Sequence, residues 1–231
     1  MQLVFIHGAG GLEATWCCQT SYFNGSEAPG LPGHPEGSPL SSIEEYSAWI
    51  HRYLEKRGYH EMVLTGHSMG GGIAISCALF YPGMLSGLIL VGAGARLRVN
   101  PAIIRLLSEN KHQPPDWFRG IAAPMLDRVE SSVRTMVLDR QCSMPITTHL
   151  NDFLCCDSFD MMEKVGAITI PVLIICGEQD SMTPVKYSKY LADAIPHSHL
   201  VVIPEAGHFF FLEKPEVVNR EIEAFLSDIG S

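Results

Sequence analysis

Short apolar runs alternate along this chain with longer stretches in which apolar side chains recur every three or four positions. The short runs predict strands at Gln2–His7, Glu61–Thr65, Leu85–Val91, Pro171–Cys176 and His199–Ile203, with a weaker candidate near Ser26–Pro29. Pro171 opens its run, a place where a missing N–H is tolerated. Apolar runs without polar alternation suit strands buried on both faces. The expected fold is therefore α/β: a mostly parallel sheet of about six strands with helices on both faces.

The longer stretches carry helix signals. Between Ser42 and Arg57 the apolar residues Ile43, Tyr46, Trp49, Ile50, Tyr53 and Leu54 share one face. Ser42 with Glu45 forms a capping-box pattern, and Gly58 supplies the stop. Two further helices are predicted at Pro184–Ala194 and Pro215–Leu226, each with a proline in the first turn. From Gly92 to about Ala167 the pattern changes, because Pro101, Pro114, Pro115, Pro124 and Pro145 punctuate short helical segments and no strand is visible. The domain reading is a core made of residues 1–93 and 166–231, interrupted by a helical cap at 94–165. The cap is rich in methionine and aromatic residues, which suits an adaptable apolar roof over a pocket.

Composition narrows the function. The 231 residues are 46% hydrophobic, enough for a sizeable core, and the formal charge is -9 with no Lys/Arg run. Nucleic acid and anionic membrane are thereby disfavoured as partners, since both require a basic surface. No apolar stretch reaches the length of a membrane span, and Met1 leads directly into the first apolar run, so a cytoplasmic protein is expected. The cysteine count of 7 is odd and includes the adjacent pairs Cys17-Cys18 and Cys155-Cys156, a poor framework for disulfides. Neither Cys-x-x-Cys nor metal-ligand histidine spacing occurs, so no metal and no cofactor are expected; His34, His51, His60, His112, His149, His197 and His199 read as packing or surface residues.

The chemistry concentrates in four places. Gly66-His67-Ser68-Met69-Gly70 fits G-x-S-x-G and lies between a strand and an apolar helix, where a serine on a sharp turn needs neighbours without a Cβ. Ser68 is the candidate nucleophile. A serine hydroxyl needs a base, and His208 in Ala206-Gly207-His208 follows the last predicted strand; Phe209-Phe210-Phe211 can hold its loop down. An imidazolium needs a carboxylate, which Asp180 offers after the penultimate strand, with Glu178 as the nearby competitor. Acyl transfer also needs two N–H donors for the developing oxyanion. Met69 at the helix start is one, and Ala9 in His7-Gly8-Ala9-Gly10-Gly11 is the other, with Gly10 as the alternative. A phosphate loop does not fit that glycine spacing. Expected substrate contacts are Gly8, Gly10, His67, Trp117, Phe118 and Phe209.

Taken together, the first glycine loop, the Ser68 turn, Val172 to Asp180, and Ala206-Gly207-His208 followed by Glu213-Lys214-Pro215 resemble the α/β-hydrolase superfamily. The resemblance points to the branch of small cap-bearing esterases that also holds meta-cleavage-product hydrolases and cofactor-free haloperoxidases. It departs from the usual pattern twice. The chain begins at the strand that ends in His-Gly, without the hairpin that commonly precedes it, and Gly30 stands where the loop after the weak strand usually carries an acid. The resemblance implies a serine hydrolase acting on a carboxylic ester of a small to medium apolar acid or alcohol, as a monomer or homodimer. Carbon–carbon bond hydrolysis, with Arg128, Arg134 or Arg140 holding a substrate carboxylate, is the alternative. Hydroxynitrile cleavage ranks below both because Ala9 offers no polar side chain. A slow-turnover small-molecule receptor of the same fold is the non-enzymatic alternative.

Overall fold

The computed structural model describes residues 2–230, and among them five strands form one fully parallel sheet. The strands are β1 (Gln2–Ile6), β2 (Met62–His67), β3 (Leu85–Val91), β4 (Val172–Gly177) and β5 (Ser198–Ile203), adjacent in chain order. Ten α-helices accompany them among the described residues: α1 (Cys17–Tyr22), α2 (Ile43–Lys56), α3 (Met69–Phe80), α4 (Pro101–Glu109), α5 (Arg119–Ala122), α6 (Ser131–Gln141), α7 (Ile146–Ser158), α8 (Val185–Ala194), α9 (Phe210–Glu213) and α10 (Pro215–Ile229).

The sixth strand expected near Ser26–Pro29 shrinks to a single bridge. Glu27 exchanges backbone hydrogen bonds with β1, accepting from Phe5 at 2.8 Å and donating to Leu3 at 3.0 Å. Pro29 has no N–H to continue the ladder, so pairing stops there.

Successive residues of a strand point to opposite sides, and this alternation divides the core in two. Val4, Ile6, Leu64, Leu88 and Ile174 face one side and pack with α2, α3 and α8. Leu3, Phe5, Val63, Ile89 and Ile175 face the other, where α9, α10 and the inserted helices cover them. That division is why the strands read as unbroken apolar runs. On α2 the capping box closes with a shift: Glu45 N–H donates to Ser42 Oγ at 3.2 Å, but the Glu45 carboxylate accepts from Ser41 N–H at 2.9 Å. Pro184 precedes α8 as its N-cap residue instead of lying in the first turn.

Everything between β3 and β4 is helical or irregular and rises over the carboxyl ends of the strands as a cap. Its two ends meet at a neck. Arg96 and Asp160 form an antiparallel bridge and an ion pair at 3.1 Å, and Met161 N–H donates to Ala95 O at 2.8 Å. All seven cysteines are free thiols.

Candidate active site

Ser68 is the whole turn between β2 and α3. Its backbone, at φ 52° and ψ -113°, lies where a side chain with a Cβ is strained. The surroundings impose that conformation. A Cβ on Gly66 would strike the Gly70 carbonyl, and one on Gly70 would strike the carbonyl of Ile6, so strand, turn and helix close this tightly only with glycine at both positions. Ser68 N–H donates to Val91 O at 3.0 Å, which ties the turn to β3. The hydroxyl faces a cavity that His208 also lines, and among the described residues no hydrogen bond joins the two side chains.

Asp180 lies in the turn after β4 and His208 in the loop after β5. Their side chains meet, with His208 Nδ1–H donating to Asp180 Oδ2 at 2.7 Å. Asp180 Oδ1 accepts the N–H groups of Met182 at 2.8 Å and Thr183 at 2.9 Å. The Thr183 hydroxyl stands 2.8 Å from Asp180 Oδ2 and 2.8 Å from Gly92 O, so its single proton is shared between two acceptors. Burial alone would raise the Asp180 pKa, but the charge and hydrogen bond of His208, with the bonds from Thr183, hold it below the ordinary carboxylate value. Glu178 turns away and accepts the Glu205 N–H at 2.9 Å. The His208 loop is pinned from two sides, since Glu213 accepts Gly207 N–H at 3.0 Å and Lys214 Nζ donates to Pro204 O at 2.6 Å.

His67 is buried beneath this pair. Its Nε2–H donates to His208 O at 3.2 Å, and burial together with the neighbouring His208 keeps its pKa well below that of a free imidazole. His67 therefore supports the loop as a neutral ring.

The glycine loop after β1 faces Ser68. Gly8 packs so closely that a Cβ would lie 2.9 Å from His67 Nδ1 and 3.1 Å from Ser68 Cβ. Gly10 N–H donates to Asp152 Oδ2 at 2.8 Å and is thereby committed. Gly8 and Gly10 shape the loop without lining the cavity, whereas Ala9 lines it. Met69 is the first residue of α3, where N–H groups have no partner within the helix.

The cavity measures about 490 Å³ and is mostly apolar. Phe118, Met125, Phe153 and Phe209 line it together with His67. Trp117 does not: on the single 3-10 turn Pro115–Phe118 successive side chains diverge by about 120°, and Phe118 takes the inward direction. Of the three candidate arginines Arg128, Arg134 and Arg140, the first lines the cavity and donates to Glu205 O at 3.0 Å. Arg134 pairs with Asp127 at 2.6 Å and Arg140 with Glu13 at 2.5 Å. A second cavity of about 480 Å³ shares Ala9, Ser68, Phe153 and Met182 with the first and extends towards Val99, Lys186 and Tyr187. Ser68 thus stands where two chambers meet.

Residues 3–221 match the sequence profile of the alpha/beta hydrolase family. The chain belongs to that family. Among solved structures this α/β-hydrolase is similar to a thermophilic esterase, at 33% identity with TM-score 0.82, covering 99% of this chain and 90% of that one. It is also similar to a thermophilic esterase from Thermogutta terrifontis with malate bound, at 24% identity and TM-score 0.88, covering 100% and 91%. Among curated proteins, RutD of Cronobacter turicensis is 26% identical over 97% of this chain and 90% of its own length. No helix among the described residues is long and apolar enough to cross a membrane.

Two features escaped the sequence reading. Thr183 carries a usable signal, because an aspartate whose carboxylate accepts N–H groups two and three residues on is a recurring turn, and Asp180-Ser181-Met182-Thr183-Pro184 fits it. The contact of Asp152 with Gly10 has no local signal: 142 residues separate the partners.

Proposed function

We propose that this α/β-hydrolase cleaves carboxylic esters through an acyl-serine intermediate on Ser68. One observation carries the reading: a buried His208–Asp180 pair at 2.7 Å opens on the same cavity as a serine held at positive φ. In the first half of the reaction Ser68 Oγ forms a bond to the ester carbonyl carbon and its proton passes to His208 Nε2. The oxyanion is held by the N–H groups of Met69 and Ala9. Collapse of the tetrahedral species breaks the bond to the alcohol, which leaves with the proton from His208. Water then repeats the sequence on the acyl-serine and releases the acid. The hydrogen bond from serine to histidine is commonly long before substrate binds and tightens afterwards. The apolar lining by Phe118, Met125, Phe153 and Phe209 favours small to medium apolar acyl or alcohol groups. Likeness to two esterase structures supports the same reaction class.

Ser68→Ala is expected to abolish hydrolysis of p-nitrophenyl esters while leaving the melting temperature within a few degrees. Retention of more than a few per cent of the activity would overturn the assignment. Arg128 on the cavity wall keeps carbon–carbon bond hydrolysis of a carboxylated diketone as a second reading. A panel setting ester chain-length series against such diketones separates the two, and fluorophosphonate labelling without turnover would identify a receptor.

A further inference from the structure

We infer that Asp152, on cap helix α7, is a positioning residue for the oxyanion loop, so that docking of the cap sets the donor geometry at Ala9. The inference rests on the acyl-transfer reading above and adds a residue to it.

Asp152 has no water-exposed side-chain surface. A buried carboxylate is costly unless it is paired; the partners of Asp152 gather on Oδ2 and come from the core and not from the cap, while Oδ1 has none among the described residues. Its Oδ2 accepts Gly10 N–H at 2.8 Å and His34 Nε2–H at 2.7 Å. His34 in turn has acceptors at both ring nitrogens, with Pro32 O 3.1 Å from Nδ1. The doubly protonated ring is the form that donates to both acceptors, and in that form His34 neutralises the carboxylate. Burial opposes that charge, yet the hydrogen bond and charge of Asp152 prevail and raise the His34 pKa.

The carboxylate therefore acts as a fixed, neutralised acceptor for one particular N–H. Ala9 lies between two peptide planes. The plane carrying Ala9 N–H also carries Gly8 O, which accepts Gly11 N–H at 3.0 Å and stands 3.0 Å from His7 Nδ1. The plane carrying Ala9 O also carries Gly10 N–H, and Asp152 holds that group. The first plane is anchored within the loop; the second, which meets the first at the α-carbon of Ala9 and so limits how it can tilt, has its hydrogen bond among the described residues from the cap. α7 reinforces the grip one turn earlier. His149, at i-3 from Asp152 and on the same helix face, packs on the α-carbon of Gly10 so closely that a Cβ there would strike its ring. Gly10 itself has φ +63°, a conformation that glycine adopts freely and a side chain would strain. The His149 ring stacks on Phe118 with centroids 3.8 Å apart, so the wall of the cavity and the loop rest on the same helix.

A carboxylate that merely docks the cap would alter stability and substrate access. One that orients an oxyanion donor alters the transition state. Displacements of about 1 Å at a reacting centre cost on the order of a hundredfold in rate. Asp152→Ala is therefore expected to lower kcat for a p-nitrophenyl ester by about ten- to a hundredfold with KM within about threefold. A trifluoromethyl ketone supplies the second readout: Ser68 Oγ adds to its carbonyl carbon, the serine proton passes to His208, and the former carbonyl oxygen becomes the oxyanion. Its affinity should fall by the same factor as kcat/KM. Asp152→Asn keeps an acceptor for Gly10 N–H and should recover most of the lost rate. Should the alanine variant not fold, Asp152→Ser, whose side chain ends short of Gly10, takes its place. A folded Ala or Ser variant with wild-type kcat would overturn the inference, as would a loss confined to KM or a loss of kcat with unchanged ketone affinity. Ser68→Ala is measured alongside: if it retains activity, the acyl-transfer reading itself has failed, a result distinct from failure at Asp152.

Discussion

Two histidine–aspartate pairs of equal length and similar burial lie in this protein, and they have opposite characters. His208–Asp180 and His34–Asp152 are each 2.7 Å apart, with side-chain exposures of 7% and 0% in the first and 0% and 0% in the second. The difference lies in the other edge of the imidazole. His208 uses Nδ1 for its carboxylate, and its Nε2 has no partner among the described residues on a ring that lines the cavity. His34 has Pro32 O at Nδ1 and Asp152 at Nε2, so its protons have nowhere to go. The carboxylates differ as well. Asp180 is surrounded by the N–H groups of Met182 and Thr183 and the Thr183 hydroxyl, whereas Asp152 depends on His34 and Gly10. A His–Asp distance alone therefore does not distinguish the proposed proton shuttle from a structural ion pair; the free nitrogen does.

Substitution should split the two pairs into different observables. The largest effect is expected from His208→Ala, which should lower kcat by about a millionfold, as loss of the base does in related constellations, while urea unfolding stays near wild type because Asp180 keeps its other donors. Asp180→Asn should cost about ten-thousandfold in kcat by disturbing the tautomer of His208, again with little change in stability. Next comes His34→Ala, which leaves a buried carboxylate without its counter-ion and should destabilise the fold by about 3–5 kcal/mol in urea titrations. Equal kinetic damage from the His34 and His208 variants, in folded proteins, would erase the distinction.

A smaller effect concerns pH. Burial, first of all, lowers the His7 pKa to about 3 and the His149 pKa to about 4. Below pH 6.5 the unfolded chain takes up protons that these rings refuse, so the stability present above pH 6.5 declines as pH falls towards 4 and then 3. His34, with its raised pKa, works in the other direction: its contribution is complete below pH 6.5 and is lost as pH rises through its folded value. His149→Phe, which retains a ring against Phe118, should remove a slope of up to about 1.4 kcal/mol per pH unit between pH 6.5 and 4, measured by unfolding across that range. Smallest is Thr183→Val, expected to lower kcat by about tenfold at most through the loss of one hydroxyl contact to Asp180.

What could be read in the sequence was local or followed from chain order. The turn at Ser68 was legible because Gly66 and Gly70 answer a steric demand within five residues. Asp180 and His208 were legible because each follows a strand whose apolar run is unmistakable. The helical character of the insertion also showed, in its prolines. The edge strand was overcounted, since Glu27 bonds to β1 but Pro29 ends the ladder. Trp117 and Phe118 are adjacent and both aromatic, so only three-dimensional placement decides which one lines the cavity. His34 and Asp152 lie 118 residues apart in a loop and a helix without periodic coupling, which left His34 and His149 indistinguishable from ordinary packing residues.

The neck at Ala95–Arg96 and Asp160–Met161 gives the insertion one doorway into the sheet. Chain can be exchanged beyond that doorway without rerouting any strand, which makes the segment a natural cassette for chimaeras. The cassette is not self-sufficient. A graft that closes the neck but brings no acceptor to Gly10 would leave an amide bare in the loop that faces Ser68, so graft libraries should be sorted first by whether a carboxylate or amide comes to rest there and only then by the residues that form the roof.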